Sequence, residues 1–168
     1  IYVRNKTNLG YAKAVNQGLK LCTPFDLAAV ANNDIRVSSG WEEIATSLFE
    51  DKEVGSVHFR MIPYDQPFNQ GNETWKTGKE RWCTGSFFVM RNIWQYDENF
   101  LNSYDDWDIH LRMYQEGYKT VYTNKAEYQH MNSFTQSIIP AREEIDRRNR
   151  EYFIKKYGDT PENIWTKM

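Results

Sequence analysis

Cysteine is scarce in this chain of 168 residues: only Cys22 and Cys83 occur, far apart and in no Cys-x-x-Cys spacing. A disulfide scaffold or a cysteine zinc site has no support, and the scarcity fits a reducing compartment. Charge of one sign is lacking as well. The 21 Lys and Arg residues stand against 23 Asp and Glu, for a formal net charge of -2. Nucleic acid, which calls for a basic face, is therefore not an expected partner. No apolar run reaches the length of a membrane span, and no secretory leader opens the chain. The expectation is a cytoplasmic protein, with association at a membrane surface left open. Internal repeats, low-complexity tracts and linkers are also missing. What is present is a folding composition, with 40% apolar and 15% aromatic residues. Six Trp and eleven Tyr suit a core, and also a surface that faces sugar, because each has an apolar body and a polar tip.

The length suits one domain with a real core, spanning 1–168. Periodicity predicts helices over 11–21, from Trp41 onward, over 106–115 and over 140–157, the last closed by Gly158. Short apolar runs predict strands over 27–31, 54–61, 86–90 and 119–122, and residues 1–4 look like the end of another. Residues 63–79, rich in Gly, Pro, Asn, Gln and Asp, predict a long loop of the kind that is functional or mobile. Residues 142–156 mix both charge signs at helical spacing, as a solvated helix face does. Strands and helices alternate, which favours an α/β layered fold. The chain opens in mid-strand, as though an earlier strand-helix-strand were missing.

Four stretches carry chemistry. Asn8-Leu9-Gly10 allows a tight turn into a helix whose small residues permit close approach. Asn32-Asn33-Asp34 follows a buried strand. Asn and Asp favour turns, but open α/β sheets also place ligands at strand ends. Thr84-Gly85-Ser86 precedes another strand, and a glycine there admits a ligand or a second backbone. Asp105-Asp106-Trp107-Asp108 opens a helix, where acidic residues also suit the helix dipole. Asp108 and Arg112 lie four apart and can pair, so Asp108 is read as structural. His58 and His110 belong to no motif and are read as structural too.

In this order and spacing, NLGYAKAVNQGLK, NNDIRVSSGW, CTGSFFVMR and YDDWDIHLRMYQEGYKTVY resemble the inverting family 2 glycosyltransferases. The resemblance covers nearly the whole chain. It implies a GT-A-like mixed sheet flanked by helices, incomplete at its N-terminus. It also implies transfer of a sugar from a nucleotide-diphosphate donor to a hydroxyl, in polysaccharide or glycoconjugate synthesis. Asn8, Gly10, Asn16, Asn32 and Asn33 then fall at the nucleotide site. Asp34 and His130 would hold a divalent cation, Mn²⁺ or Mg²⁺, with Asp34 the one carboxylate left of the usual Asp-x-Asp. Trp82, Gly85, Ser86 and Asp105 would line the sugar and acceptor pocket, with Trp75 a further sugar platform. Asp106 falls on the general base, and Asp105 stands where the family usually has Glu. One base suffices when a hydroxyl attacks the anomeric carbon directly.

Two other readings compete. A non-catalytic carbohydrate-binding or scaffolding module of the same fold would explain the incomplete start, which also predicts self-association through the N-terminal edge. A metal-dependent phosphoryl hydrolase would need a second cluster of ligands for a second metal, and the sequence shows none.

Overall fold

The computed structural model describes residues 1–23, 25–76, 85–131 and 141–167. The sheet grows from alternation. In β1 (Leu27–Ala31) Ala28 and Val30 are buried while Ala29 and Ala31 are exposed. β5 (Phe87–Arg91) is apolar on both faces and buried on both. Phe88 and Met90 meet the helices α1 (Tyr11–Leu21) and α3 (Asp105–Gln115), whereas Phe87 and Val89 meet α2 (Trp41–Leu48). A continuous apolar strand of this kind belongs in a sheet covered on both sides.

The strand order is β1-β5-β3-β6-β2, where β2 is Ile35–Val37, β3 is Val54–Ile62 and β6 is Lys119–His130. β3 and β6 run parallel and the other pairs antiparallel, so the sheet is mixed. β1 forms one edge. β4 (Thr74–Lys76) pairs with β6 off the main path.

The structure revises several expectations. β6 does not stop at Tyr122 but continues to His130. Its pairing with β3 jumps from Phe59↔Thr123 to Arg60↔Glu127, so residues 124–126 bulge out of the ladder. That bulge hides the strand from a period-two pattern. It also pins the segment expected to be a functional or mobile loop. Gly71 N–H donates to the Asn124 carbonyl at 2.8 Å, and Glu73 N–H to Asn124 Oδ1 at 2.8 Å. A Cβ on Gly71 would lie 2.4 Å from the Asn124 amide, so glycine is what allows the approach. Further along, Asn69 N–H donates to Glu127 Oε2, and Gln129 Nε2 to the Gln66 carbonyl, each at 2.5 Å. Residues 63–73 are thus a strap laid across β6. Residues 77–79, the end of the expected loop, lie outside the described residues.

Residues 1–4 are not a strand. Nothing in the described sheet pairs with them, and Ile1, Tyr2 and Val3 are exposed.

α4 (Arg142–Tyr157) ends at Gly158, which has φ 81°, as its composition indicates. Its expected start at residue 140 lies outside the described residues. Its charged face is solvated, but Asn149 and Phe153 are fully buried, and Phe153 packs with Phe100 and Leu111. α3 is therefore covered on two sides, with Ile109 and Met113 against the sheet and Leu111 against α4. A short α5 (Pro161–Lys167), too brief to show a period, follows. No helix of the described residues is long and apolar enough to cross a membrane.

Candidate functional site

The chain leaves β1 through Asn32, Asn33 and Asp34 and returns as β2, whose Ile35 stands opposite His130. That three-residue strand brings the two expected ligands together. Asp34 Oδ1 lies 3.0 Å from His130 Nε2, and Asn32 Nδ2 lies 3.2 Å from the same ring nitrogen. Asn33 is exposed to solvent.

A single imidazole nitrogen cannot donate to a carboxylate and accept from an amide at once. With the Asn32 amide turned over, two oxygens and one nitrogen converge on one point, a donor set that suits a divalent cation. His130 and Asp34 side chains are 12% and 28% exposed, so the point is reachable from solvent. Among the described residues, no group of three or more His, Cys, Asp and Glu side chains could hold a metal. Any cation here would take only Asp34 and His130 from that set, with Asn32 and a ligand completing its shell.

The second cluster forms at the start of α3. The loop before it is conformationally costly: Asn102 and Tyr104 both have positive φ, 57° and 66°, with no glycine between them. Two contacts hold it. Asn102 Oδ1 accepts from the Tyr11 N–H at 2.9 Å, and buried Asn149 of α4 bonds Leu101 and Ser103. Gly10 has φ 80°, and a Cβ there would meet Leu101 at 2.8 Å, so Gly10 serves this same junction. Asn8 Oδ1 accepts from Gly10 N–H at 2.9 Å and closes the turn.

Asp105 is buried. Its Oδ1 accepts from Asp106 N–H at 3.0 Å, and its Oδ2 has no hydrogen-bond partner among the described residues. Burial, followed by the neighbouring charge of Asp106, pushes its carboxyl well above the usual range. Asp106 is partly exposed. Burial raises its carboxyl too, while the N–H groups of Trp107, at 2.9 Å, and of Gly85 favour the charged form. Asp108 is fully buried and structural: it accepts from Arg112 at 2.9 Å, Lys156 at 2.5 Å and Tyr157 at 2.6 Å.

Gly85 and Ser86 join the clusters. The Gly85 carbonyl accepts from Tyr11 Oη at 2.6 Å, and a Cβ on Gly85 would touch Asp106 Cβ at 3.6 Å. The next carbonyl, of Ser86, accepts from Asn32 N–H at 2.8 Å. Two adjacent residues thus border Asp106 on one side and the Asn32–Asp34 turn on the other. The Ser86 hydroxyl faces the core and bonds Tyr128 at 2.9 Å.

Other expected site residues lie apart. Asn16 is buried, and its amide clamps the backbone of Tyr96, giving at 3.0 Å and taking at 2.8 Å, with Glu98 as a further acceptor. Trp75 sits opposite Tyr122, far up β6 from His130. Trp82 lies outside the described residues. Sequence reasoning missed Tyr11, Tyr96 and Asn149. An aromatic in a first helical turn and an Asn in a charged helix are ordinary sights, and only long-range packing reveals their places.

No protein-family model matches the chain, and no curated protein matches its sequence. Among solved structures, the chain is similar to GalNAc-T7, determined with UDP, GalNAc and Mn²⁺. The TM-score is 0.61 at 13% identity, over 76% of this chain and 31% of that one. The chain spans about a third of that protein's length. With the mixed sheet and its flanking helices, this likeness makes the fold of the chain a GT-A-like glycosyltransferase fold.

Proposed function

We propose that the chain is an inverting, divalent-cation-dependent glycosyltransferase of the family 2 type. It would move a sugar from a nucleotide-diphosphate donor to a hydroxyl of a carbohydrate or glycoconjugate acceptor. The observation that carries the reading is the Gly85–Ser86 bridge, which borders a partly exposed carboxylate, Asp106, on one side and the Asn32, Asp34 and His130 cluster on the other. The UDP and Mn²⁺ in the structural neighbour support the same chemistry.

In this reading Asp34 and His130, with Asn32, would hold Mn²⁺ or Mg²⁺, which when bound neutralises charge on the departing diphosphate. Asp106 accepts the proton of the acceptor hydroxyl as that oxygen bonds to the anomeric carbon and the bond to the diphosphate oxygen breaks. Asp105 is buried beside Asp106, and burial with that neighbouring charge raises its carboxyl, so the pair favours carrying a single charge. Gly85 gives the acceptor room beside Asp106 and steadies the carboxylate through its N–H. Asn8 and Gly10 shape the turn that walls the nucleotide side.

Incubation with nucleotide sugars, Mn²⁺ and a panel of glycan acceptors should release nucleoside diphosphate and give product of inverted anomeric configuration by proton NMR. Asp106→Asn should lower transfer by ~10²–10⁴-fold with little change in donor affinity. Retained configuration would overturn inversion. Sugar binding without turnover across the panel would favour a carbohydrate-binding module.

A further inference from the structure

Beneath the proposed base lie two imidazoles to which that reading gives no work. His58, on β3, and His110, on α3, are both buried, and their Nε2 atoms are 2.8 Å apart. His110 Nδ1 lies 2.6 Å from the main-chain carbonyl of Asp106, one turn earlier on the same helix. A carbonyl only accepts, so His110 Nδ1 carries the proton and its Nε2 offers a lone pair. His58 Nε2–H must therefore be the donor between the rings, and His58 Nδ1 is left as a bare acceptor. It has no hydrogen-bond partner among the described residues. The His58 ring is fixed from below by stacking on Phe88, with centroids 4.8 Å apart and planes 8° from parallel.

The peptide group that receives this chain is the one joining Asp106 to Trp107. Its carbonyl accepts from His110, and its N–H donates to Asp106 Oδ1 at 2.9 Å. One planar unit thus connects the imidazole pair to the carboxylate. Donation into the carbonyl polarises the peptide and makes its N–H a stronger donor, since linked hydrogen bonds reinforce one another.

We propose that His58, acting through His110, positions and tunes Asp106. The pair locks the first turn of α3 to β3 and favours the ionised carboxylate through the peptide between them. Neither ring touches a substrate, so both are positioning residues. Burial keeps the pair neutral: it disfavours the charged form of both rings, with the neighbouring His110 adding to the effect at His58 and Arg112 at His110, against the bond to the Asp106 carbonyl. The other groups facing Asp106 are Asp105 on its own helix, Tyr11 from α1 and Tyr96 from the preceding loop. The charge of Arg112 also disfavours a second proton on His110.

The test rests on the reading of Asp106 as base but does not need turnover. In protein with labelled histidine and aspartate, long-range nitrogen NMR should show His110 as the Nδ1–H tautomer and His58 as the Nε2–H tautomer, both neutral at pH 7. Carbon NMR then titrates the Asp106 carboxyl. His110→Leu and His58→Leu should each shift its midpoint upward by about half a pH unit or more. His58→Gln, which keeps an N–H donor, should restore most of the original value. Where transfer is measurable, its pH profile should move with the carboxyl while nucleotide affinity holds. An Nε2–H tautomer at His110, or an unmoved Asp106 midpoint in folded His58→Leu, would overturn the proposal. Absence of transfer with the NMR pattern intact would count against the transferase reading and leave the positioning role standing.

Discussion

Asn149 of α4 and Ser103 of the loop before α3 are joined twice, from Asn149 Nδ2 to the Ser103 carbonyl at 3.1 Å and to its hydroxyl at 2.8 Å. The same amide bonds Leu101 at both its carbonyl and its N–H. One fully buried side chain therefore holds a loop in which two non-glycine residues have positive φ. Strained backbone persists only where surroundings over-determine it, and such sites gather near function. Asn149→Ala should cost about 2–4 kcal/mol by denaturant melts, because it strands several buried donors and acceptors. Asn149→Asp, which keeps the acceptor, should retain the Leu101 N–H bond and lose the rest. A loss below about 1 kcal/mol in the alanine variant would mean the loop holds itself.

Asp105 predicts a pH dependence of stability. Its carboxyl moves from an ordinary 3.8 to about 7 in the fold, mainly through burial. A raised value means the folded state holds its proton more tightly. The stability it contributes is complete below about pH 4 and is lost as pH rises towards 7. Buried His58 and His110 act in the opposite sense, with stability lost as pH falls below their ordinary 6.5. The difference between wild type and Asp105→Asn removes that contribution. The variant should gain on wild type steadily between pH 4 and 7 and hold its advantage at pH 8. Parallel stability curves across that range would show that Asp105 ionises as freely in the fold as outside it.

The Asp34–His130 pair predicts a response to metal. Mn²⁺ or Mg²⁺ should raise Tm, and more so with a nucleoside diphosphate present. A ligand bound only to the folded state at one hundred times its Kd adds about 2.7 kcal/mol. Asp34→Ala and His130→Ala should each abolish the shift. Equal shifts in the wild type and both variants would place the cation elsewhere.

The free side of β1 predicts self-association. Among the described residues β1 pairs only with β5, its Ala29 and Ala31 are exposed, and Ile1, Tyr2 and Val3 at the start of the chain are exposed as well. Open strand edges with apolar neighbours recruit other strands. Light scattering should show dimers that grow with concentration, and Ala29→Lys should reduce them. A monomer at high concentration would remove the idea.

The legible parts of the fold were those with a local signal. The helix at 11–21 was legible from its period, but of the side read from the sequence, Ala14, Val15, Gly18 and Leu19, only Leu19 is buried, while Ala14 and Gly18 are exposed; α3 showed its termination at Gly117. Asp34 and Asp106 stood out through the family resemblance, since alone a carboxylate after a strand suits a turn and one at a helix start suits the helix dipole. β2 was hidden because three residues carry no period. The far half of β6 was hidden because a bulge at 124–126 breaks the alternation. Asn149 and Tyr96 belong to no local pattern, since their partners lie in distant segments. His58 and His110 were taken as structural because nothing local shows that a lone pair on one faces a proton on the other.

β6 pairs with β2, β3 and β4, and its last residue is the one that faces Asp34. The short strand β2 must find the end of β6 across most of the chain before Asn32, Asp34 and His130 meet. Contacts this distant in sequence form slowly, because loop closure is unfavourable until they are made. The proposed cation-binding point should therefore be among the last features to assemble on refolding. Metal affinity followed in a stopped-flow experiment would then serve as a clock for completion of the sheet, lagging behind helix formation in α1 and α3.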